Sequence, residues 1–267
     1  MKILVRVVIL ACLMLTQALG QVAPKDQSKD PLKVAPQAYK LEFENEWVRV
    51  MRVRYGAREK IAQHYHTERA SAYVYLNDAG PVIFKHVDLP YGDITRAAVK
   101  TGTFRVYRGV KEVHAVENPG DTPSEFLRVE FKTEPVNQNS LRGKFHREQV
   151  APGENSRKVQ FENEQIRITR MVIAAHKTMD QSTNATEPAL LVALTQSKLQ
   201  KGKDRVNLEM GKTRWIGVGQ QDELGNSGNA PVEFLRFEFK TKPFNDPTDR
   251  TDSHDHKHSS DKQDRRL

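Results

Sequence analysis

The stretch EFLRVEFKTEP, residues 125–135, returns 108 residues later as EFLRFEFKTKP, residues 233–243. Within it Leu127, Val129 and Phe131 alternate with Arg128, Glu130 and Lys132, and Leu235, Phe237 and Phe239 repeat the alternation. Period two is the signature of a β-strand, in which residues i and i+2 share a face. A second pair opens each copy: LEFENEWVRVMRVRYG from Leu41 matches VQFENEQIRITRMVIA from Val159, 118 residues on. The chain therefore reads as one module written twice, at 39–136 and 157–244, with the second copy about ten residues shorter in its middle.

Inside each copy the pattern is β throughout. SAYVYL and ALLVALT are short strands rich in Val, Leu and Tyr, and NDAGP, PYGD, KTGT, NPGDTP and GNSGNAP are turns. No helical stripe exceeds two turns. Many short strands joined by Gly- and Pro-bearing turns indicate a sandwich or barrel, here two in tandem. QVAPKDQSKDPLKVAPQ reads as a flexible lead-in over 21–38, and residues 137–156 as a linker. The tail from 245 to 267 is nearly devoid of apolar residues and reads as disordered, with His254, His256 and His258 in it.

The first twenty residues, MKILVRVVILACLMLTQALG, have a basic start at Lys2 and Arg6, an apolar run and small residues at Ala18 and Gly20. That is the pattern of a signal peptide, so the expected destination is the periplasm or the extracellular space, with no stable membrane insertion after cleavage. The only cysteine, Cys12, lies inside this segment. The mature chain then has no disulfide, and packing must supply its stability. The chain is 37% hydrophobic and 28% charged, enough for a real core. Its net charge of +8 comes from Lys and Arg scattered among Glu and Asp, without a basic stripe, and no nucleic-acid partner is expected.

Three histidines of the first copy fall in informative places. His64 and His66 form an H-x-H pair on a strand, so both imidazoles face one way, and His114 lies between two Gly-bearing turns 48 residues further on. Imidazole is a common neutral ligand for divalent transition metals, and an open site takes about three protein ligands. His86, His146 and His176 carry no such pattern and read as ordinary strand, linker and turn residues.

The arrangement G-x7-H-x-H (Gly56, His64, His66) followed by G-x11-H-x3-N (Gly102, His114, Asn118) resembles the two motifs of the cupin superfamily. The resemblance implies a pair of small jelly-roll barrels, all-β, as in the duplicated bicupins. It also implies a divalent ion (Fe, Mn, Zn, Ni or Cu) on His64, His66 and His114. The family's fourth ligand, a glutamate four or five residues after the second histidine, falls on Ala70 and Ser71 here, and Glu68 stands nearest in sequence. The second motif lacks its usual proline, with Arg108 nearby, and its Gly-to-His spacing is one residue longer. The chain thus resembles the three-histidine variant, which leaves the ion's charge available to anionic substrates or oxygen species.

In the second copy His64, His66 and His114 align with Ser182, Asn184 and Asp222, whereas Asn118 keeps its partner as Asn226. The fold survives without the histidines, so their role is separable from folding. Three functions fit the sequence. One is a metal-dependent enzyme acting on a small molecule, with Tyr73 and Tyr75 lining the pocket or packing the core. The second is an exported small-ligand-binding protein without turnover. The third is a structural bicupin whose sheets pair two copies into a homodimer.

Overall fold

The computed structural model describes residues 30–87, 92–180, 186–201, 204–220 and 223–244. The signal-like segment, most of the lead-in and the His-bearing tail lie outside them. A short helix, α1 (Pro31–Val34), comes first, with Asp30 capping the Leu32 amide and Pro31 set where its missing N–H costs nothing. Ala35 and Ala38 behind it are buried against the first barrel, so residues 30–38 are packed where a flexible lead-in was expected.

The first copy contributes β1 (Tyr39–Glu44), β2 (Val48–Tyr55), β3 (Lys60–His66), β4 (Ser71–Tyr75), β5 (Val82–His86), β6 (Asp93–Arg96), β7 (Phe104–Tyr107), β8 (Glu112–Glu117) and β9 (Ser124–Phe131). From the expected linker comes β10 (Arg142–Phe145), which pairs with β7. The second copy contributes β11 (Ser156–Glu162), β12 (Ile166–Ile173), β13 (Thr178–Asp180), β14 (Ala189–Ala193), β15 (Ser197–Lys201), β16 (Asp204–Leu208), β17 (Thr213–Ile216), β18 (Glu223–Asn226) and β19 (Val232–Phe239).

The first copy folds as a sheet β1-β2-β9-β4-β7-β10 facing a sheet β3-β8-β5-β6, and the second as β11-β12-β19-β14-β17 facing β13-β18-β15-β16. Strand order and register repeat: Val48 pairs with Phe131 as Ile166 pairs with Phe239, and the bulge at Leu41/Phe43 recurs at Val159/Phe161. The architecture is two tandem jelly rolls.

The alternation in β9 has a consequence for the site. Leu127, Val129 and Phe131 do not fill the barrel. They join Ile168, Leu190 and Phe237 of the second copy in one apolar cluster, because the large sheets pack outer face to outer face. Each such side chain contributes about 1.5–3 kcal/mol when fully buried. The charged face of β9 therefore points into the barrel, where Arg128 and Glu130 are buried, as are Arg236 and Glu238 in the second copy. Each barrel also has its own interior cluster, Tyr55, Tyr73 and Phe126 in the first and Ile173, Leu191 and Phe234 in the second.

Candidate metal centre

β8 is the spine of the site. Its His114 lies directly opposite His64 on β3 and, on its other side, directly opposite His86 on β5. One row of the inward face thus reads His64, His114, His86. The neighbouring row holds His66 and Glu112, which also face each other across β3 and β8. Below lies an apolar row of Ile61, Val116 and Phe84.

Ile61 and His64 both belong to this face only because the register shifts between them. A bulge inserts one residue, and without it strict alternation would send His64 and His66 to the opposite face from Ile61.

The three expected ligands come together. His64, His66 and His114 are 0%, 3% and 2% exposed, and their ring centroids lie 4.9, 4.8 and 5.0 Å apart. One nitrogen from each falls within 4.8 Å of the others. Burial holds His64 down to about 4, with the neighbouring His114 adding to the effect. Burial, then Arg128 and the other two histidines, holds His66 well below the ordinary imidazole range. Burial also lowers His114, against the pull of Glu112. All three shifts favour the neutral imidazole, which is the state that binds a metal.

His114 Nε2 is buried without a hydrogen-bond partner, and Nδ1 has only the Glu112 carboxylate near it, at 3.4 Å. Orphaned buried nitrogens are costly in a protein interior. A divalent ion among three neutral imidazoles resolves that cost, so the donor set fits a metal of the Fe, Mn, Zn, Ni or Cu type.

Glu68 is exposed just after β3 and belongs to neither group of clustered metal-ligating side chains found among the described residues. Ala70 packs into the cluster between the barrels instead. The carboxylate of the site is Glu112, which sequence reading passed over. Its Oε1 lies 2.6 Å from His86 Nε2 and 3.4 Å from His114 Nδ1. Burial pushes this carboxyl up, but His114, His86 and Arg96 outweigh it and hold the group at about 2. His86 is no ordinary strand residue either: its Nδ1 faces the Gly92 carbonyl at 3.1 Å, so it is fixed at both nitrogens. Glu112 lies against His114 Nδ1, which leaves Nε2 as the nitrogen that would bind a metal beside the other two histidines.

Tyr39 closes the cluster. Its hydroxyl lies 2.8 Å from His64 Nε2 and 2.7 Å from the Tyr55 hydroxyl, while His64 Nδ1 donates to the Ala62 carbonyl at 2.8 Å. A small cavity of about 10 Å³, room for about one water molecule, adjoins the centre. Tyr55, Tyr73, Phe84 and Phe126 wall it, and Arg96, Arg128, His66 and His114 also reach it. Tyr75 lines a neighbouring cleft with Arg96.

Asn118 belongs to the frame. Its amide nitrogen lies 2.8 and 2.9 Å from the Gly56 and Thr122 carbonyls, and Asn226 repeats this with Ala230 at 2.8 Å and Ile173 at 3.0 Å. The counterparts of the histidines, Ser182, Asn184 and Asp222, lie outside the described residues, as do His254, His256 and His258. His146 and His176 are exposed and join no cluster among the described residues. No helix among the described residues is long and apolar enough to cross a membrane.

No family model matches the chain, and no curated protein does. Solved structures do. AerE from Microcystis aeruginosa superposes with a TM-score of 0.52 at 11% identity, covering 76% of this chain and 97% of its own. A mutant of salicylate 1,2-dioxygenase from Pseudoaminobacter salicylatoxidans gives 0.51 at 12% identity, covering 73% and 70%. The same enzyme solved as adducts with gentisate gives 0.50 at 12% identity, covering 73% and 68%. At such identities the likeness is one of fold: the chain has the cupin fold, two jelly rolls in tandem.

Proposed function

We propose that this chain is an exported bicupin, arisen by duplication, which holds one divalent metal ion on His64, His66 and His114 in its first barrel and uses it on a small molecule. The reading rests on one observation, three buried and nearly equidistant imidazoles, one of which has its Nε2 buried without a hydrogen-bond partner. A bound ion would supply Lewis acidity or a redox centre. The chain's own groups have assignable tasks: His64, His66 and His114 bind, Glu112 orients His114, and the aromatic walls exclude water from the adjoining cavity. Export rests on the leader pattern in residues 1–20.

A second reading, an exported binding protein without turnover, draws support from the Tyr39 hydroxyl, which occupies His64 Nε2. Elemental analysis of the untagged mature chain beside a His64→Ala/His66→Ala variant tests the metal. The expected result is about one more ion per chain in the parent, the open site of such ligand sets being mononuclear. Equal metal in both, including any held by the tail, overturns the metal reading and leaves the binding module. With metal established, a screen for substrate turnover and oxygen consumption separates enzyme from carrier.

A further inference from the structure

His114 has a histidine on either side. His64 stands across from it on β3 and His86 across from it on β5, with ring centroids 4.8 and 5.3 Å away. The His64 side belongs to the three-histidine centre. The other side brings together a His86 nitrogen, a Glu112 carboxylate oxygen and a His114 nitrogen, all within 4.8 Å of one another. The side chains of His86 and Glu112 are 2% and 3% exposed.

Protons alone do not satisfy this side. The Gly92 carbonyl can only accept, so His86 Nδ1, 3.1 Å away, carries its hydrogen. In a neutral ring Nε2 then presents a lone pair, and it faces Glu112 Oε1 at 2.6 Å. Two acceptors hold that distance only with a positive centre beside them. A proton would serve His86 and Glu112. It would leave His114 Nδ1 at 3.4 Å from the same oxygen, buried and without a hydrogen bond. One metal ion serves all three atoms.

The second barrel is an internal control. It keeps the buried carboxylate of β9, Glu130 returning as Glu238 beside Arg236. It does not keep Glu112. Gln220, which precedes Asn226 by the same interval as Glu112 precedes Asn118, is exposed and accepts from the Gly217 amide. The carboxylate is lost together with the histidines, which sets Glu112 with the metal chemistry and apart from the common frame.

We propose that His86, Glu112 and His114 form a second position for a divalent ion, filled in alternation with the three-histidine centre. A neutral imidazole has one lone pair, so His114 gives Nε2 to one position or Nδ1 to the other, never both at once. Two imidazoles with one carboxylate suit Fe(II) and Mn(II). The contact between His86 and Glu112 must open to admit an ion, so this position is the weaker and is expected to empty in dialysis. The inference goes beyond the function proposed above and shares only His114 with it.

The test is titration of Co(II), followed by its visible absorption, into the metal-stripped, untagged mature chain. Ions taken by the tail are common to every variant and cancel in the differences. His64→Ala/His66→Ala should still bind one ion, more weakly than the parent. Adding either His86→Gln or Glu112→Gln should abolish that binding, and the parent should bind one ion above this baseline. Glu112→Gln copies the residue of the second barrel, so two independent substitutions guard against the misfolding of one. No ion in the double variant above the baseline would overturn the proposal, as would binding that survives both added substitutions. Two ions in the parent would overturn the alternation. The two claims fail separately. Binding in the parent with none in the double variant sinks this inference alone. Equal affinity in both, abolished by His86→Gln, sinks the three-histidine centre alone.

Discussion

Glu112 Oε1 lies 3.4 Å from Nδ1 of His114, the histidine central to the three-strand row. The carboxylate that cupin-like sites take from the strand of the paired histidines is absent at Ala70 and Ser71. One from β8 stands behind the third histidine instead. An orienting carboxylate acts on affinity through the ligand it holds, so Glu112→Gln should weaken metal binding about 10- to 100-fold while leaving one ion per chain at saturation. A competition titration against a chromophoric chelator measures this. A change of stoichiometry at saturation would make Glu112 a ligand and not an orienting group.

Tyr39 acts in the opposite sense. With His64 Nδ1 donating to Ala62, the lone pair on Nε2 receives the Tyr39 hydroxyl, and a metal must displace that hydrogen bond. The net worth of such a bond is about 1 kcal/mol, so Tyr39→Phe should tighten metal binding about fivefold. The same chelator titration checks it, and weaker binding in the variant would mark Tyr39 as a ligand.

Proton competition gives the centre a pH signature in the metal-free protein. His64 is held at about 4 in the fold, against about 6.5 in an unfolded chain. A lowered folded value means that stability is present above pH 6.5 and is lost as pH falls toward 4, because the unfolded chain takes up the proton first. His64 alone accounts for about 2 kcal/mol between pH 7 and pH 5, and His66 is shifted in the same direction. Urea unfolding in chelator at these two pH values should show the loss, and His64→Gln/His66→Gln should largely remove it. A loss of equal size in that variant would place the pH sensitivity elsewhere.

Much of this was legible from the residues. The repeated EFLR-EFKT stretch announced two β modules, and H-x-H with a histidine 48 residues on announced the cluster, because both motifs encode faces and faces follow from period two. Alternation does not tell which face is covered by what. Arg128 and Glu130 share a face as expected, yet the apolar face of β9 meets the other barrel and the charged face lines the cavity. Glu112 had a local signal, since it lies two residues before His114 and so on the same face. His86 had none. It reaches the site through the register of β5 on β8, and register depends on residues far apart in sequence. The bulge between Ile61 and His64 likewise has no marker in the string.

The joint between the barrels is nearly two-fold symmetric, yet its two halves should differ in strength. Arg52 and Arg170 are counterparts. Arg52 Nη2 donates to the Gly211 carbonyl at 3.1 Å, and Arg170 Nη2 donates to the Gly102 carbonyl at 2.6 Å. Both glycines have positive φ, +79° and +77°, which suits them to present a carbonyl from a tight turn. The carboxylates around the two arginines differ. Arg52 bonds Glu42 and Glu125, whose side chains are 19% and 28% exposed, so water can solvate them once the arginine is gone. Arg170 bonds Glu233, which is 4% exposed and is shared with Arg147. Removing one member of a buried pair costs about 3–5 kcal/mol, and the Arg147 contact places Arg170→Ala near the lower end. Arg52→Ala should cost about 1 kcal/mol, as partly exposed pairs do. Urea unfolding of both variants measures the difference. Equal costs would mean that the glycine carbonyls, which the two sides share, set the strength of the joint and the carboxylates do not.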